Sequence, residues 1–377
     1  MNYKNFSKIL FFSILLTILT FISSDKIVLP FYTKTYPFDP NDEFKFIFKN
    51  EIFTNIKIGT PPQNLELFLT MRTPLFILKN NASFPEYYKN GSSSSYFTDS
   101  KFNYHYSNDD VLKRGTPSKE KLFLKKTFDN NEESFEAQNF DFIYATDYKG
   151  DSKRHMAVLG LQFFSSTFSL TSDINFIDVL KRNRLITSYV WNMYYTSENE
   201  GYIVIGEFPH TYNSEKFNKD DLKQINVHQQ GAQKVVWNLY FHNISYGGEK
   251  PLNDYRTGKF APQYGVIFGP YTFDTFITKE FFGDLVNQKK CERKTYDDKH
   301  DYYVCDENID LSKFKNIEFT EKEISSKKFI LTKDDLFLKK NGKLYFLIVF
   351  GQNWKWHYSW TLGKPFMKKY NFLFDQD

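Results

Sequence analysis

The side chains that could perform chemistry in this chain are too scattered to form a recognised catalytic or metal site. None of the seven histidines pairs with another at the helical spacing of zinc ligands. The serine-rich stretch 91–95 lacks the Gly-x-Ser-x-Gly pattern and the strand–turn–helix setting of a serine hydrolase. The carboxylates of residues 39–43 lack the spacing and the glycine of a calcium-binding EF-hand loop. The sequence therefore predicts neither a metal site nor a cofactor.

Composition and charge describe a globular chain without a nucleic-acid partner. The 377 residues are 41% hydrophobic and 25% charged, which rules out wholesale disorder. The formal net charge of +4 is spread along the chain, so no basic face for nucleic acid is predicted. The length allows two or three domains, or one large domain of two lobes.

Residues 1–24 have the features of a secretory signal peptide. Lys4 and Lys8 precede an apolar run from Ile9 to Ile22, and small residues follow. A signal anchor is the alternative, but the run is short for the hydrocarbon layer of a membrane. No second apolar stretch approaches the length of a span, so no membrane span is expected after removal of the signal. The predicted location is the secretory pathway, either outside the cell or in the lumen of a lysosome- or vacuole-like compartment.

The secretory route bears on the two cysteines and on glycosylation. An oxidising compartment favours a disulfide between Cys291 and Cys305. Three sequons for N-linked glycans also fall in polar, turn-like surroundings, at Asn81, Asn90 and Asn243.

Short, alternating runs of β-branched and aromatic residues dominate the chain and are separated by Gly, Pro, Asn and Asp clusters. Helical spacing is convincing in only two places. One is Ile177 to Leu185, and the other follows Thr278, whose hydroxyl is predicted to cap a helix through Phe281 and Leu285. The pattern predicts an all-β, mostly antiparallel protein with brief helices.

Six pieces of sequence, in order, resemble the pepsin-like aspartic proteases (peptidase family A1). They are Ile58-Gly-Thr-Pro-Pro-Gln63 with the strand after it, Val158-Leu-Gly-Leu161, Gly201-Tyr-Ile-Val-Ile-Gly206, Trp237-Asn-Leu-Tyr-Phe241, the pair Cys291 and Cys305, and Trp360-Thr-Leu-Gly363 with Phe366, Tyr370 and Phe374-Asp375. The resemblance covers roughly residues 50 to 377 and implies an all-β, bilobal fold with pseudo-twofold related lobes and a cleft between them.

The resemblance also divides the chain into segments. It implies a signal peptide at 1–24, an N-terminal segment or short pro-region at 25–50, an N-terminal lobe at 51–215 and a C-terminal lobe at 216–377. It pairs Cys291 with Cys305 as the disulfide of the second lobe. It also identifies Tyr106 with the flap tyrosine that closes over a substrate, although the glycines that normally follow are replaced.

In that family each lobe supplies one Asp, and the two carboxylates share a proton because both cannot ionise so close together. Counted from Gly59, the first of these positions falls on Thr70, within the quartet Thr70-Met-Arg-Thr73. No Asp lies between Asp42 and Asp99, so no shift of the alignment restores the carboxylate. The first catalytic position is therefore predicted to be vacant.

The second catalytic position is predicted at Gly269, directly after the hydrophobic run Val266-Ile-Phe268. The interval from Gly269 to Phe281 matches the family's interval from the Asp to the next helix. Asp274 is the alternative, because Asp274-Thr-Phe276 could be a relic of Asp-Thr-Gly, but it lacks a strand directly before it. With either choice, fewer than two carboxylates remain.

Three hypotheses about function follow. The leading one is a proteolytically inactive, pepsin-like pseudoenzyme whose cleft binds a peptide or protein ligand. The rival is an active aspartic endopeptidase with a divergent site that uses Asp274. The third is a structural subunit of a larger assembly. The sequence predicts no oligomeric state.

Overall fold

The structure is a computed structural model that describes most of the chain. The described residues are 26–34, 39, 42–73, 75–79, 88–98, 104–105, 112–128, 134–148, 157–162, 175–225, 237–252, 256–296, 299–322, 328–351 and 359–376. The predicted signal peptide, Tyr106 and Asn81 lie outside these residues.

The first lobe is built on a twelve-stranded sheet that also takes in the C-terminal strand of the chain. Its main path runs β24-β10-β11-β1-β2-β3-β9-β4-β8-β7-β5, and β6 pairs with β7. The strands are β1 (Ile27–Lys34), β2 (Glu51–Ile58), β3 (Gln63–Thr70), β4 (Phe76–Lys79), β5 (Phe97–Thr98), β6 (Tyr104–His105), β7 (Leu112–Leu124), β8 (Phe135–Tyr148), β9 (Ala157–Gly160), β10 (Val190–Tyr195), β11 (Glu200–Ile205) and β24 (Phe372–Asp375).

The second lobe contains another twelve-stranded sheet. Its path runs β19-β18-β12-β14-β23-β15-β22-β17-β21-β20, with β13 paired to β12 and β16 to β17. The strands are β12 (Asn238–Tyr246), β13 (Glu249–Leu252), β14 (Arg256–Phe260), β15 (Ile267–Pro270), β16 (Cys291–Tyr296), β17 (His300–Asp306), β18 (Ile317–Glu321), β19 (Lys328–Leu331), β20 (Phe337–Lys340), β21 (Lys343–Phe346), β22 (Ile348–Gly351) and β23 (Ser359–Leu362).

The helices of the described residues are short, at four to seven residues each. They are α1 (Glu43–Phe48), α2 (Phe176–Arg182), α3 (Pro209–Tyr212), α4 (Tyr271–Ile277), a π-helical turn (Thr278–Phe282), α5 (Gly283–Asn287), α6 (Lys333–Leu336) and α7 (Lys364–Lys369).

The two sheets repeat one pairing pattern, which is the signature of pseudo-twofold symmetry. In the first lobe β3 is parallel to β9, β9 is antiparallel to β4, and β4 is parallel to β8. In the second lobe β14 is parallel to β23, β23 is antiparallel to β15, and β15 is parallel to β22. The strands β3 and β4 therefore correspond to β14 and β15. The structure confirms the predicted all-β, bilobal fold.

The N-terminal segment is part of the folded body. The strand β1 lies between β11 and β2, paired with both. Its residues Ile27, Leu29 and Phe31 are each at most 3% exposed and belong to the main core. The described part of this segment, β1, is therefore an inner strand of the first sheet.

The segment after β15 corrects the predicted helix start at Thr278. The helix begins at Tyr271, and Thr278 lies inside a continuous run of helical turns to Asn287. Its hydroxyl donates to the carbonyl oxygen of Asp274, 2.7 Å away, so it does not cap a helix N-terminus. The predicted disulfide is confirmed, because Cys291 and Cys305 face each other across the β16–β17 hairpin and are bonded.

Removal of β1 is expected to prevent folding. A chain that starts at residue 51 loses the burial of Ile27, Leu29 and Phe31, worth roughly 5–9 kcal/mol at 1.5–3 kcal/mol for each large apolar side chain. That is comparable with the whole stability of a typical domain, about 5–15 kcal/mol. Chains starting at residues 26 and 51 are to be compared by circular dichroism and cooperative thermal unfolding. A cooperative transition in the shorter chain would contradict this role of β1.

Candidate functional site

The first candidate loop, residues 70–73, leaves the end of β3 where this strand meets β9. Thr70 is 1% exposed, and its carbonyl oxygen accepts from the backbone N–H of Leu161 at 2.8 Å. Its hydroxyl oxygen accepts from the backbone N–H of Arg72 at 3.1 Å, which closes a tight turn. Gly160 crosses directly against this loop, since a Cβ there would lie 2.2 Å from the carbonyl oxygen of Thr73.

The second lobe forms the same crossing at residues 261–264. The Leu-Gly pair of β9, Leu159-Gly160, is matched by Leu362-Gly363 at the end of β23. Leu159 is in register with Leu69, and Leu362 is in register with Phe260. The residue after Leu69 is Thr70, and the residue after Phe260 is Ala261.

Two further contacts fix this correspondence. A Cβ on Gly363 would lie 2.6 Å from the carbonyl oxygen of Tyr264, as one on Gly160 would approach Thr73. The N–H of Lys364 donates to Tyr264 at 2.8 Å, as the N–H of Gln162 donates to Thr73 at 3.2 Å. The quartet Ala261-Pro-Gln-Tyr264 therefore corresponds to residues 70–73. We call residues 70–73 and 261–264 the paired loops.

The predicted assignment of Gly269 to the second position is wrong. Gly269 lies on β15, the counterpart of β4, and so beyond the second loop. It is buried, and a Cβ there would lie 2.9 Å from the Trp360 ring, which is itself wholly buried. The run Val266-Ile-Phe268 is the strand that follows the loop, not the one that precedes it. Ala261, which the sequence analysis missed, corresponds to Thr70, and the Leu-Gly register is the signal that identifies it.

The second loop is held by the N-terminal segment. Asn50, which is 5% exposed, donates its backbone N–H to the carbonyl oxygen of Gln263 at 3.0 Å. Its side-chain amide donates to the carbonyl oxygen of Pro262 at 2.8 Å. The N–H of Gly265 donates to Phe48 at 2.7 Å. The residues at the junction of α1 and β2 therefore bind the second loop from outside, in addition to the loop's own bond from the N–H of Tyr264 to the carbonyl oxygen of Ala261 at 3.1 Å.

The paired loops contain no carboxylate. Their residues are Thr70, Met71, Arg72, Thr73, Ala261, Pro262, Gln263 and Tyr264. Arg72 is the one charged side chain among these eight, and it is exposed. The neutral side chains of Thr70 and Ala261 cannot take a proton from a water or protonate a peptide carbonyl in the way a carboxyl group does.

Asp274, the alternative catalytic residue, lies on α4 in a buried ion-pair cluster. It is 1% exposed, and Arg293 donates to it at 2.5 Å and to the equally buried Asp301 at 2.6 Å. Tyr303 donates to Asp274 at 3.0 Å. Burial raises the pKa of Asp274, and the charge of Asp301 adds to this, while Arg293 and Tyr303 oppose it. These contacts are typical of a structural carboxylate that links α4 to the β16–β17 hairpin.

The glycosylation candidates differ in setting. Asn90 begins a short 3-10 turn and is half-buried, and its side-chain oxygen accepts from the N–H of Gly91. Asn243 lies inside β12, paired with Thr320, and its side-chain oxygen is buried. A glycan needs an asparagine that a transferase can reach, so Asn90 is the better placed of these two.

A cavity of about 420 Å³ lies beside the second loop, between α1, α6, α7 and the β10–β11 turn. None of the eight loop residues lines it. Its lining carries six lysines and three carboxylates, several of them already paired with each other. They are Lys34, Lys49, Lys340, Lys364, Lys368, Lys369, Glu198, Asp334 and Asp335. Within the described ranges no three His, Cys, Asp or Glu side chains are grouped to hold a metal ion.

A buried carboxylate on α1 binds the N-terminal segment to the second lobe. Glu43 is 7% exposed and contacts Lys294 at 2.6 Å, Tyr345 at 2.5 Å and Lys343 at 3.4 Å. Burial alone would raise the pKa of Glu43, but the hydrogen bonds from Lys294 and Tyr345 and the two lysine charges outweigh it and lower the pKa. Together with the bonds from Asn50, this cluster holds the start of β2 beside the second loop.

These lobes, their crossed Leu-Gly loops and the disulfide hairpin define a pepsin-like fold. The family model for eukaryotic aspartyl protease matches residues 51–377, and the chain belongs to this family. No curated protein matches the chain significantly by sequence. In the described part of the chain, no helix is long and apolar enough to cross a membrane.

Solved structures support the same fold. Basic 7S globulin from soybean superposes with a TM-score of 0.64 at 12% identity, covering 93% of this chain and 92% of that one. Conglutin gamma, a basic 7S globulin from lupine seeds, superposes with a TM-score of 0.66 at 12% identity, covering 94% of this chain and 93% of that one. At this identity the likeness concerns the fold alone.

The lowered pKa of Glu43 predicts a stability that depends on pH. A carboxylate whose pKa is lowered by folding stabilises the protein above its unfolded pKa, and this contribution is lost as the pH falls through the folded value. We expect Glu43→Gln to lower the free energy of unfolding by about 1–3 kcal/mol at pH 7. The difference from wild type should shrink as the pH falls below 4.5, the ordinary value for Glu.

Urea unfolding of both proteins from pH 7 to pH 3 measures this difference. The matched control is Glu249→Gln, because Glu249 pairs with Lys315 on the surface at 3.5 Å. An exposed pair of this kind contributes little. An equal effect of both substitutions, or a Glu43→Gln effect that does not change with pH, would contradict the proposed role of the cluster.

Proposed function

We propose that this chain is a proteolytically inactive member of its family, and that its interlobe cleft binds a peptide or protein segment. The observation that carries the proposal is the absence of any carboxylate from the paired loops, with Thr70 at the end of β3 and Ala261 directly after β14. The family's reaction needs two carboxylates that share one proton, one to take a proton from water and one to protonate the carbonyl. We take Thr70 and Ala261 as the replacements of those two residues.

The framework around the vacant positions supports retention of a binding role. Gly160 and Gly363 still allow the close crossing of the two loops. Trp237 of the second lobe still donates from its indole nitrogen to the carbonyl oxygen of Leu161 in the first, at 2.9 Å. A cleft formed by these lobes offers an extended peptide the same kind of groove that an active member offers its substrate. In this proposal the cleft binds a peptide but does not cleave it.

The proposal includes the secretory pathway as the place of action. The N-terminal run of residues 1–24 and the Cys291–Cys305 disulfide agree with that route, which ends in secretion or in a lysosome- or vacuole-like lumen. Candidate glycans on Asn81 and Asn90 belong to the same proposal, whereas the third sequon, at Asn243, lies inside a strand. No cofactor, metal or nucleic acid takes part in it.

Absence of proteolysis is the first expected outcome. Purified protein should not cleave denatured casein or haemoglobin between pH 3 and 5, with pepsin as the positive control and pepstatin as the inhibitor. Cooperative thermal unfolding of the same sample shows that it is folded. Pepstatin-sensitive cleavage by wild type that is lost in Asp274→Ala would establish the rival hypothesis of an active endopeptidase.

Glycosylation provides a separate test of the secretory route. We expect protein recovered from the medium of a eukaryotic host to lose mass on treatment with an N-glycosidase. Asn90→Gln should remove one glycan, whereas Asn243→Gln should leave the mass unchanged because the Asn243 side chain is held within a strand. Protein that stays in the cytosol without glycans would contradict this part of the proposal.

A further inference from the structure

Arg72 is the residue of the first loop that neither the fold nor the lost chemistry explains. The family has a glycine at this third position of the quartet, where the backbone turns tightly. Here the turn is held through the Arg72 backbone N–H and the Thr70 hydroxyl at 3.1 Å, which leaves the long side chain outside the turn and exposed. Within the described part of the chain, its guanidinium makes no hydrogen bond or ion pair.

The charge of the paired loops is therefore reversed relative to an active member of the family. Two carboxylates that share one proton carry a net negative charge, whereas these eight residues carry one positive charge. The residue that corresponds to Arg72 in the second loop is Gln263, which is neutral. Neither loop can neutralise Arg72 by itself.

We infer that Arg72 binds a carboxylate of the peptide that occupies the cleft, so that the ligand is an acidic peptide. This inference rests on the proposed binding function and names its ligand class. The guanidinium presents planar, paired donors that match the two oxygens of a carboxylate. The carboxylate belongs to an Asp or Glu side chain or to a free peptide C-terminus.

The loop beneath Arg72 is buried, although the Arg72 side chain itself is exposed. Thr70 and Thr73 on either side of Arg72 are almost fully buried, so the base of the loop is removed from water. An ion pair formed beside a low-dielectric surface is screened less than one in open solvent. Binding should still weaken with rising salt, because the guanidinium itself is exposed.

The experiment selects ligands from randomised octapeptides that are capped at both ends, displayed on beads and incubated with the purified full-length secreted protein. A second library has the same composition and a free C-terminal carboxylate. Four proteins are compared: wild type, Arg72→Gln, Arg72→Glu and the control Arg184→Gln. Arg184 is exposed beyond the end of α2, so this control removes the same charge outside the paired loops. Thermal unfolding verifies that all four are folded.

We expect Asp and Glu to be enriched among capped peptides retained by wild type and by Arg184→Gln. A selected peptide should bind wild type roughly tenfold more tightly than its Glu→Gln isostere. That preference should disappear in Arg72→Gln and change to Lys and Arg in Arg72→Glu. Enrichment confined to the second library would identify the terminal carboxylate as the ligand group.

The failures of the two proposals are distinguishable. Peptides that bind with no preference for acidic residues, or with an unchanged preference in Arg72→Gln, would overturn the role of Arg72 and leave peptide binding intact. No retained peptide from either library would contradict peptide binding itself. Equal losses in Arg72→Gln and Arg184→Gln would show that only the overall charge matters, which also overturns the inference.

Discussion

The close crossing of a Leu-Gly strand over a loop, made once in each lobe, is the constraint on which this structure depends. At Gly160 and Gly363 a Cβ would lie 2.2 and 2.0 Å from carbonyl oxygens of the crossed chain, so no side chain fits. The crossing fixes the parallel pairs β3–β9 and β14–β23, and these pairs place the paired loops. Because it depends on backbone contacts, this geometry persists without the carboxylates.

Paired loops without a carboxylate also avoid the electrostatic repulsion between two neighbouring acidic groups. Two acidic groups held close together at the base of a cleft repel one another and are partly desolvated, which costs stability. Thr70 and Ala261 carry no such charge. Three of the carboxylates that are buried elsewhere pair with cations: Asp274 and Asp301 share Arg293, and Glu43 contacts two lysines. These buried carboxylates therefore stabilise contacts between elements of the fold.

The sequence predicted the features that rest on rigid local requirements. The Leu-Gly pairs, Trp237, Trp360 and the two cysteines each have a steric or covalent role that tolerates few substitutions, so their order indicated the fold. The second loop could not be located in the same way. Short hydrophobic strands precede and follow each loop, and their sequences look alike. Val266-Ile-Phe268 resembles the strand before the second loop, but it belongs to the strand after it. The register between strands that are distant in sequence distinguishes Ala261 from Gly269, and this register is a property of the three-dimensional fold.

The two loops differ in the hydrogen bonds that hold them and in the charge of their side chains. In the first, the Thr70 hydroxyl accepts the Arg72 N–H, so the loop is closed by its own atoms. In the second, Ala261 has no side-chain acceptor, and the N–H of Tyr264 donates to the Ala261 carbonyl oxygen at 3.1 Å. The backbone N–H and the side-chain amide of Asn50 donate to the carbonyl oxygens of Gln263 and Pro262 from outside the loop. The second loop is therefore hydrogen-bonded to the N-terminal segment. None of its four side chains carries a charge. The first loop receives its outside donors from the residues after β9, Leu161 and Gln162, and its single charged side chain, Arg72, is exposed.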